Sequence, residues 1–406
     1  MHLSYLLSVA LAATSLVEAA LPARLRGRGS STASMAAKRR SVGNLKRREV
    51  KEVVSPKLFI ISMFDSEADV WYDDVQNQLG LLDQNFTIPG FSPLFPDAHC
   101  TSSGDVCQLT TGEGEINAAS TVTALLLSPQ FNLTSTYFLI TGIAGGNPHL
   151  ITTGSVTFAR YAIQFDLQYE FDPRQMPANL SWTGYVPQGG SYPDMPDGID
   201  YPTEVYGTEI FELNVNLLER AYYIASLATL NDTDGAAKYR ATYGYAPANQ
   251  PPSVVKCDSG TANQYWSGST LGEAFQNYTL LMTNGTGNYC ATQQEDNATL
   301  EALLRGTLSG LVDFSRIILM RTISDFDRAP PGEAEMFHLL DADQEGFEPS
   351  IMNIYQAGIE IVKDMRMYWT GTYDKGLKPG NYIGDAFNSL GGEVAPDIGT
   401  EAIYIN

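Results

Sequence analysis

Three uninterrupted apolar runs limit most strongly what this chain can fold into: PKLFIISMF (56–64), TYFLITGIAGG (136–146) and RIILMRTISD (316–325). Apolar residues without alternation mark a strand covered on both faces, as in a parallel sheet. Helical spacing fills much of the chain between and around them. EADVWYDDVQNQLG sets Val70, Trp71 and Val75 on one side, with Gly80 as a stop, and TTGEGEINAASTVTALLLS predicts a helix from about Ile116 to Ser128. TEIFELNVNLLERAYYIASLATL reads as one long amphipathic helix, and ATLEALLRGTLSG and IMNIYQAGIEIVKDMRMYW as two more. PSVVKCDSG reads as a strand and GSVTFARYAIQFDLQYEF as paired strands. Strands alternating with helices imply an α/β fold, a mostly parallel sheet flanked by helices. Such sheets bind ligands beyond the carboxyl ends of their strands, which is where RTISD delivers Asp325.

The N-terminus belongs to something else. YLLSVALAATSLVEAA is a short apolar run with Val17 and Ala19 placed for cleavage, so residues 1–19 read as a signal peptide. Residues 20–50 are basic and rich in Gly and Ser, a disordered or pro-segment with KRR at Lys38–Arg40 and Lys46–Arg48. Residues 51–406 then form one domain, and the protein is expected to be secreted or associated with the cell surface.

The first 50 residues hold nine of the 25 Lys and Arg but only two of the 46 acids, which leaves the remainder at a net of about −28. A surface so acidic repels phosphate backbones, which excludes nucleic acid as a partner. Four cysteines suggest two disulfides. Cys100 and Cys107 bracket a turn-like hexapeptide and are expected to pair, leaving Cys257 for Cys290. Histidine is scarce and no C-x-x-C occurs, so no metal or other cofactor is expected. N-glycosylation sequons stand at Asn85, Asn132, Asn179, Asn231, Asn277, Asn284 and Asn297. After the leader no segment reaches the roughly 20 apolar residues of a membrane helix.

SMFDSEADVW, TGEGEINAAS, ITGIAGG, GSVTFARYAIQFDLQYE, ATQQEDNATLEALLRG, DFSRIILMRTISDFDR and NYIGDAF together resemble the purine nucleoside permease family of fungi and bacteria, from about Pro56 onward. That family is similar in turn to the nucleoside phosphorylase and nucleosidase superfamily. The resemblance implies a nucleoside phosphorylase-like domain whose ligand is a small-molecule purine nucleoside; a homo-oligomeric assembly is compatible with it. The family name implies transport, whereas the superfamily implies cleavage of an N-glycosidic bond.

Cleavage makes three demands: the leaving base must be neutralised, the ribose held, and a nucleophile activated opposite. By resemblance, Ser324-Asp325 meets the base, with Asp325 as the catalytic acid; a turn cap is the plain structural alternative. Asp327 and Arg328 are expected to pair with each other. Gln294-Glu295 stands where the superfamily has Met-Glu, so Glu295 would accept the ribose hydroxyls; the alternative is an acid favouring a helix N-terminus. Asn297 beside it is expected to stay free of glycan. Glu67 would orient an attacking water, with Asp65 or Ser66 one residue away as substitutes and an ordinary first-turn helix acid as the alternative. Gly142, Ala144 and Gly145 match a glycine turn of the hydrolysing branch, where Ile140 replaces a phosphate-binding Arg; Arg160 is the one cation left to consider. Tyr265 and Trp266 would stack on the base or serve the core, and His149 would touch the ribose. On these grounds the sequence reads first as a secreted purine nucleosidase that releases base and ribose. A phosphate-dependent phosphorylase and a non-catalytic nucleoside-binding or transport protein are the alternatives.

Overall fold

Residues 53–74, 78–176, 183–189, 201, 202, 204–394, 396 and 398 are described by a computed structural model. The leader, the basic segment, Val75 and the sequon at Asn179 lie outside them.

The strands are β1 (Leu58–Ser62), β2 (Gln84–Thr87), β3 (Asp97–Cys100), β4 (Val106–Thr110), β5 (Tyr137–Gly146), β6 (Val156–Phe158), β7 (Tyr161–Gln164), β8 (Gln168–Glu170), β9 (Tyr185–Pro187), β10 (Ile210–Glu212), β11 (Val254–Lys256), β12 (Asp258–Thr261), β13 (Tyr289–Gln293), β14 (Ile317–Phe326) and β15 (Gly384–Asp385). The three apolar runs lie side by side. β1 pairs in parallel with β4 and β5, and β5 pairs in parallel with β14 along nearly its whole length. Side chains along each run alternate between two cores. Phe59, Ile61, Phe138 and Ile140 pack on the side of helices Glu115–Leu126 and Asp296–Leu308. Leu58, Ile60, Leu139 and Met320 pack on the side of helices Val215–Ala225 and Phe347–Tyr368. With both faces covered, these strands need apolar residues at every position. The expected mixed, mostly parallel sheet with flanking helices is present.

Trp71, fully buried, shows how closely the layers meet. A Cβ on Gly358, in the middle of helix Phe347–Tyr368, would come within 2.5 Å of the Trp71 ring. A mid-helix glycine costs about 1 kcal/mol relative to alanine. Burying the ring offsets that by roughly 1.5–3 kcal/mol.

Several sequence expectations change. The helix after β1 is Asp65–Tyr72 and ends well short of Gly80. The segment TEIFELN does not begin a helix: Ile210–Glu212 forms β10 between β7 and β15. The helix starts only after Asn214, whose side chain accepts from the backbone N–H of Asn216 and Leu217. Likewise β6 and β7 do not pair with each other. β6 joins β14 and β11, while β7 joins β10 and β12. The two expected disulfides, Cys100–Cys107 and Cys257–Cys290, are both present. Among the described residues no helix is long and apolar enough to cross a membrane.

Candidate functional site

The carboxyl ends of β1, β5, β12, β13 and β14 surround a cleft of about 780 Å³, its open mouth included. β14 supplies the most to it. A bulge between Ile323 and Asp325 interrupts pairing with β5, and Arg321, Ser324, Asp325, Phe326 and Asp327 all line the cleft. Bulges re-aim side chains, which explains how a buried strand sends consecutive polar residues into one space.

One end of the cleft is a buried charge cluster. Glu67, 1% exposed, accepts at both carboxyl oxygens: from Ile143 N–H at 2.7 Å and from Met63 N–H at 2.7 Å. Burial pushes its carboxyl up to about 8, against the pull of Arg321 and those two donors. Glu295 accepts from Gly114 N–H at 2.9 Å and from Arg321 at 3.3 Å. Burial raises its pKa too, with Arg321 again opposing. Arg321, 1% exposed, holds Asp296 at 2.5 Å and donates to Ile143 O at 3.2 Å. Burial pulls the pKa of this guanidinium down, but Asp296, Glu295 and Glu67 push it further up, so it stays charged.

The other end is Asp325, 6% exposed, whose Oδ1 accepts from Ser324 Oγ at 3.1 Å and Oδ2 from Tyr265 Oη at 2.8 Å. Trp266 packs edge-on against Phe275, with ring centroids 4.9 Å apart. Gln294 donates to Asn263 O at 2.7 Å and so ties the β13 end to the loop that carries Tyr265.

Glu67, Ala144, Gly145, Tyr265, Trp266, Gln294, Glu295, Ser324 and Asp325 therefore come together around one space. Gly142 does not line it. A Cβ there would come within 2.5 Å of Glu67 Oε1 and 2.8 Å of Arg321 Nη1, so its bareness makes room for the charge cluster rather than for a ligand. His149 is also outside, stacked on Tyr245 with ring centroids 5.2 Å apart. Arg160 is outside as well, paired with Glu212 at 2.6 Å. Asp327 and Arg328 form the expected pair at 2.6 Å. Asn297 is buried: its Nδ2 donates to Thr208 O at 2.8 Å and its Oδ1 accepts from Thr261 at 2.7 Å, a packing with no space for a glycan.

Sequence reasoning missed Arg321, Glu113 and His338, all of which line the cleft. For Arg321 a signal existed: it is the one charged residue inside IILMRTIS, and a charge in a doubly buried strand needs a partner. The cleft offers carboxyl groups to hydroxyls and ring N–H groups at either end, with apolar and aromatic walls between. Its cation is already engaged by Asp296 and Glu295, a poor arrangement for holding a phosphate dianion.

Comparison with known proteins agrees with the resemblance noted above. The profile of the family described as purine nucleoside permease (NUP) matches residues 55–378. The purine nucleoside permease of Candida albicans is 47% identical over 357 residues, covering 86% of this chain and 84% of that one. The probable purine nucleoside permease of Schizosaccharomyces pombe is 39% identical over 322 residues, covering 79% of this chain and 92% of that one. Among solved structures, the 5′-methylthioadenosine/S-adenosylhomocysteine nucleosidase of Streptococcus pneumoniae in complex with 8-aminoadenine has a TM-score of 0.43 at 16% identity, over 76% of this chain and 99% of that one. The permease relatives overturn the first reading of the sequence, that of a secreted purine nucleosidase, and favour the transport alternative stated with it. By family profile and by identity over most of its length, the chain belongs to the purine nucleoside permease family.

Proposed function

We propose that the cleft receives a purine nucleoside, and that this recognition is the chain's part in purine nucleoside uptake at the cell surface. One observation carries the reading: a chain of the purine nucleoside permease family holds Asp325 and Glu295 at opposite ends of a single cleft. In this arrangement Asp325 and Ser324 face the base, and the walls from Ala144 and Gly145 to Trp266 cover its faces. Glu295, fixed by Gly114 N–H and Arg321, accepts from the ribose hydroxyls. Glu67 sits behind the sugar with both oxygens already engaged, as a group that shapes the cleft.

Titration calorimetry with adenosine, guanosine, inosine and uridine tests this. The expected result is saturable binding of the purine nucleosides with uridine much weaker, and recovery of the ligand intact. Cells expressing the full chain are expected to take up labelled purine nucleoside faster than cells expressing an Asp325→Ala variant. Absence of saturable purine nucleoside binding, or release of free base during the titration, would overturn the reading.

A further inference from the structure

A bulge interrupts the ladder, so the direction of the residue beside it depends on what else holds the chain there. β5 accompanies β14 to Phe326, but on the other edge β6 pairs with it only from Met320 to Thr322. Past Thr322 no strand among the described residues pairs with that edge. Main-chain N–H and C=O groups beside a buried cleft need partners all the same.

The stretch after β14 supplies them, from helix Glu335–Leu340 to the first turn of helix Phe347–Tyr368. Phe326 N–H donates to Gln344 Oε1 at 2.8 Å, and Phe326 O accepts from His338 Nε2 at 3.1 Å. A carbonyl oxygen only accepts, so Nε2 carries the ring proton in this bond. Two side chains thus take the part of a strand, one as acceptor and one as donor. Both are buried and lie side by side, Gln344 Nε2 being 3.3 Å from His338 Nε2. His338 is fixed in turn, its Nδ1 2.8 Å from Tyr239 Oη and 3.2 Å from Glu333. On the other side of the bulge Ser350 Oγ donates to Ile323 O at 2.7 Å. A Cβ on Gly346 would collide with Ser324 O, so the bare glycine lets the stretch lie directly on the bulge. The main chain is therefore gripped at Ile323 and at Phe326, on either side of Ser324 and Asp325.

We propose that His338 and Gln344 are positioning residues: by holding the main chain of Phe326 they fix the direction in which the bulge presents the Asp325 carboxyl group to a nucleobase. The proposal rests on the reading that the cleft takes a purine nucleoside. It adds that the affinity is set in part by two side chains that act through Asp325. Both border the cleft, but His338 Nε2 and Gln344 Oε1 are engaged by the main chain.

Calorimetry with adenosine would compare the wild type, His338→Phe, His338→Gln and Gln344→Met, the last three also in an Asp325→Ala background, with urea denaturation to establish that each is folded. His338→Phe and Gln344→Met are each expected to weaken binding by about tenfold, the scale of one lost hydrogen bond. His338→Gln, whose amide N–H reaches about as far as Nε2, is expected to keep most of the affinity. In the Asp325→Ala background, where no carboxyl group remains to be aimed, the same substitutions are expected to change binding little. If His338→Phe does not fold, Gln344→Met and His338→Gln carry the comparison. Unchanged affinity in the folded variants, or the same loss with and without the Asp325 carboxyl group, would overturn the positioning role. A wild type that binds no purine nucleoside would instead overturn the reading of the cleft on which it depends.

Discussion

The two ends of the cleft hold their carboxyl groups by opposite means. At the Arg321 end each Glu67 oxygen meets a backbone N–H, and Glu295 is fixed by a backbone N–H and a buried guanidinium. At the other end Asp325 accepts from two hydroxyls, those of Ser324 and Tyr265, which turn about single bonds. Backbone donors and a guanidinium fork cannot be withdrawn without deforming the sheet; a hydroxyl can. The first end belongs to the fold as much as to the site, whereas the second is held by side-chain hydroxyls.

Removing Arg321 breaks the comparison most severely. Arg321→Met leaves Glu295 and Asp296 buried without their counter-charge, and a loss of about 3–5 kcal/mol in urea denaturation is expected. Next comes Gly142→Ala, which drives a methyl into Glu67 and Arg321. A cost of about 1–3 kcal/mol is expected, by the same measurement, at a position that does not line the cleft.

Acidity probes the same end. The Glu67 carboxyl titrates near 8 in the folded protein against an ordinary 4.5, so the folded state holds its proton more tightly than the unfolded one. The stability this gives is complete below about pH 4.5 and is lost as pH rises through about 8. Glu67→Gln has no such dependence. The stability gap between wild type and variant, followed by denaturation, is expected to narrow from pH 5 to pH 8.

The smallest effect on stability sharpens the comparison from the other side. Asp325→Asn keeps the shape of the side chain, and a change within about 1 kcal/mol is expected, while purine nucleoside affinity falls by roughly tenfold or more in calorimetry. A large loss of stability there would mean that the two ends are built alike.

What the sequence made legible follows from the range of the forces involved. The runs at β1, β5 and β14 could be read because a doubly buried strand must be apolar at every position, whatever its neighbours are. Asp325 and Glu295 could be placed because they stand at strand and helix ends within recognisable motifs. Other features depend on partners distant in the chain. β10 carries apolar residues compatible with a helix, and only β7 and β15 beside it decide for a strand. Arg321 looks misplaced in its run until Asp296 and Glu295 arrive from another element. Gly142 reads as a ligand contact in a glycine-rich turn, and only the approach of Glu67 shows what its missing side chain is for.

The bulge in β14 carries a consequence for how such a site is inherited. Ile323 pairs with Ala144 and Asp325 with Gly145, so Ser324 is one residue more than the ladder requires. Deleting it would let the two strands zip without a gap, and the sheet would accept the shorter chain. Asp325 would keep its place beside Gly145, on the face opposite Ile323, but Ser324, whose hydroxyl donates to Asp325 and lines the cleft, would be gone together with the local twist that the bulge gives the strand. A single lost codon would thus spare the carboxyl group and still take away a partner that holds it. Chain length at this one place is therefore as much a part of the site's specification as the identity of its residues, and a relative that keeps the Asp but lacks the extra residue would be expected to fold and yet to hold its carboxyl group without the serine hydroxyl.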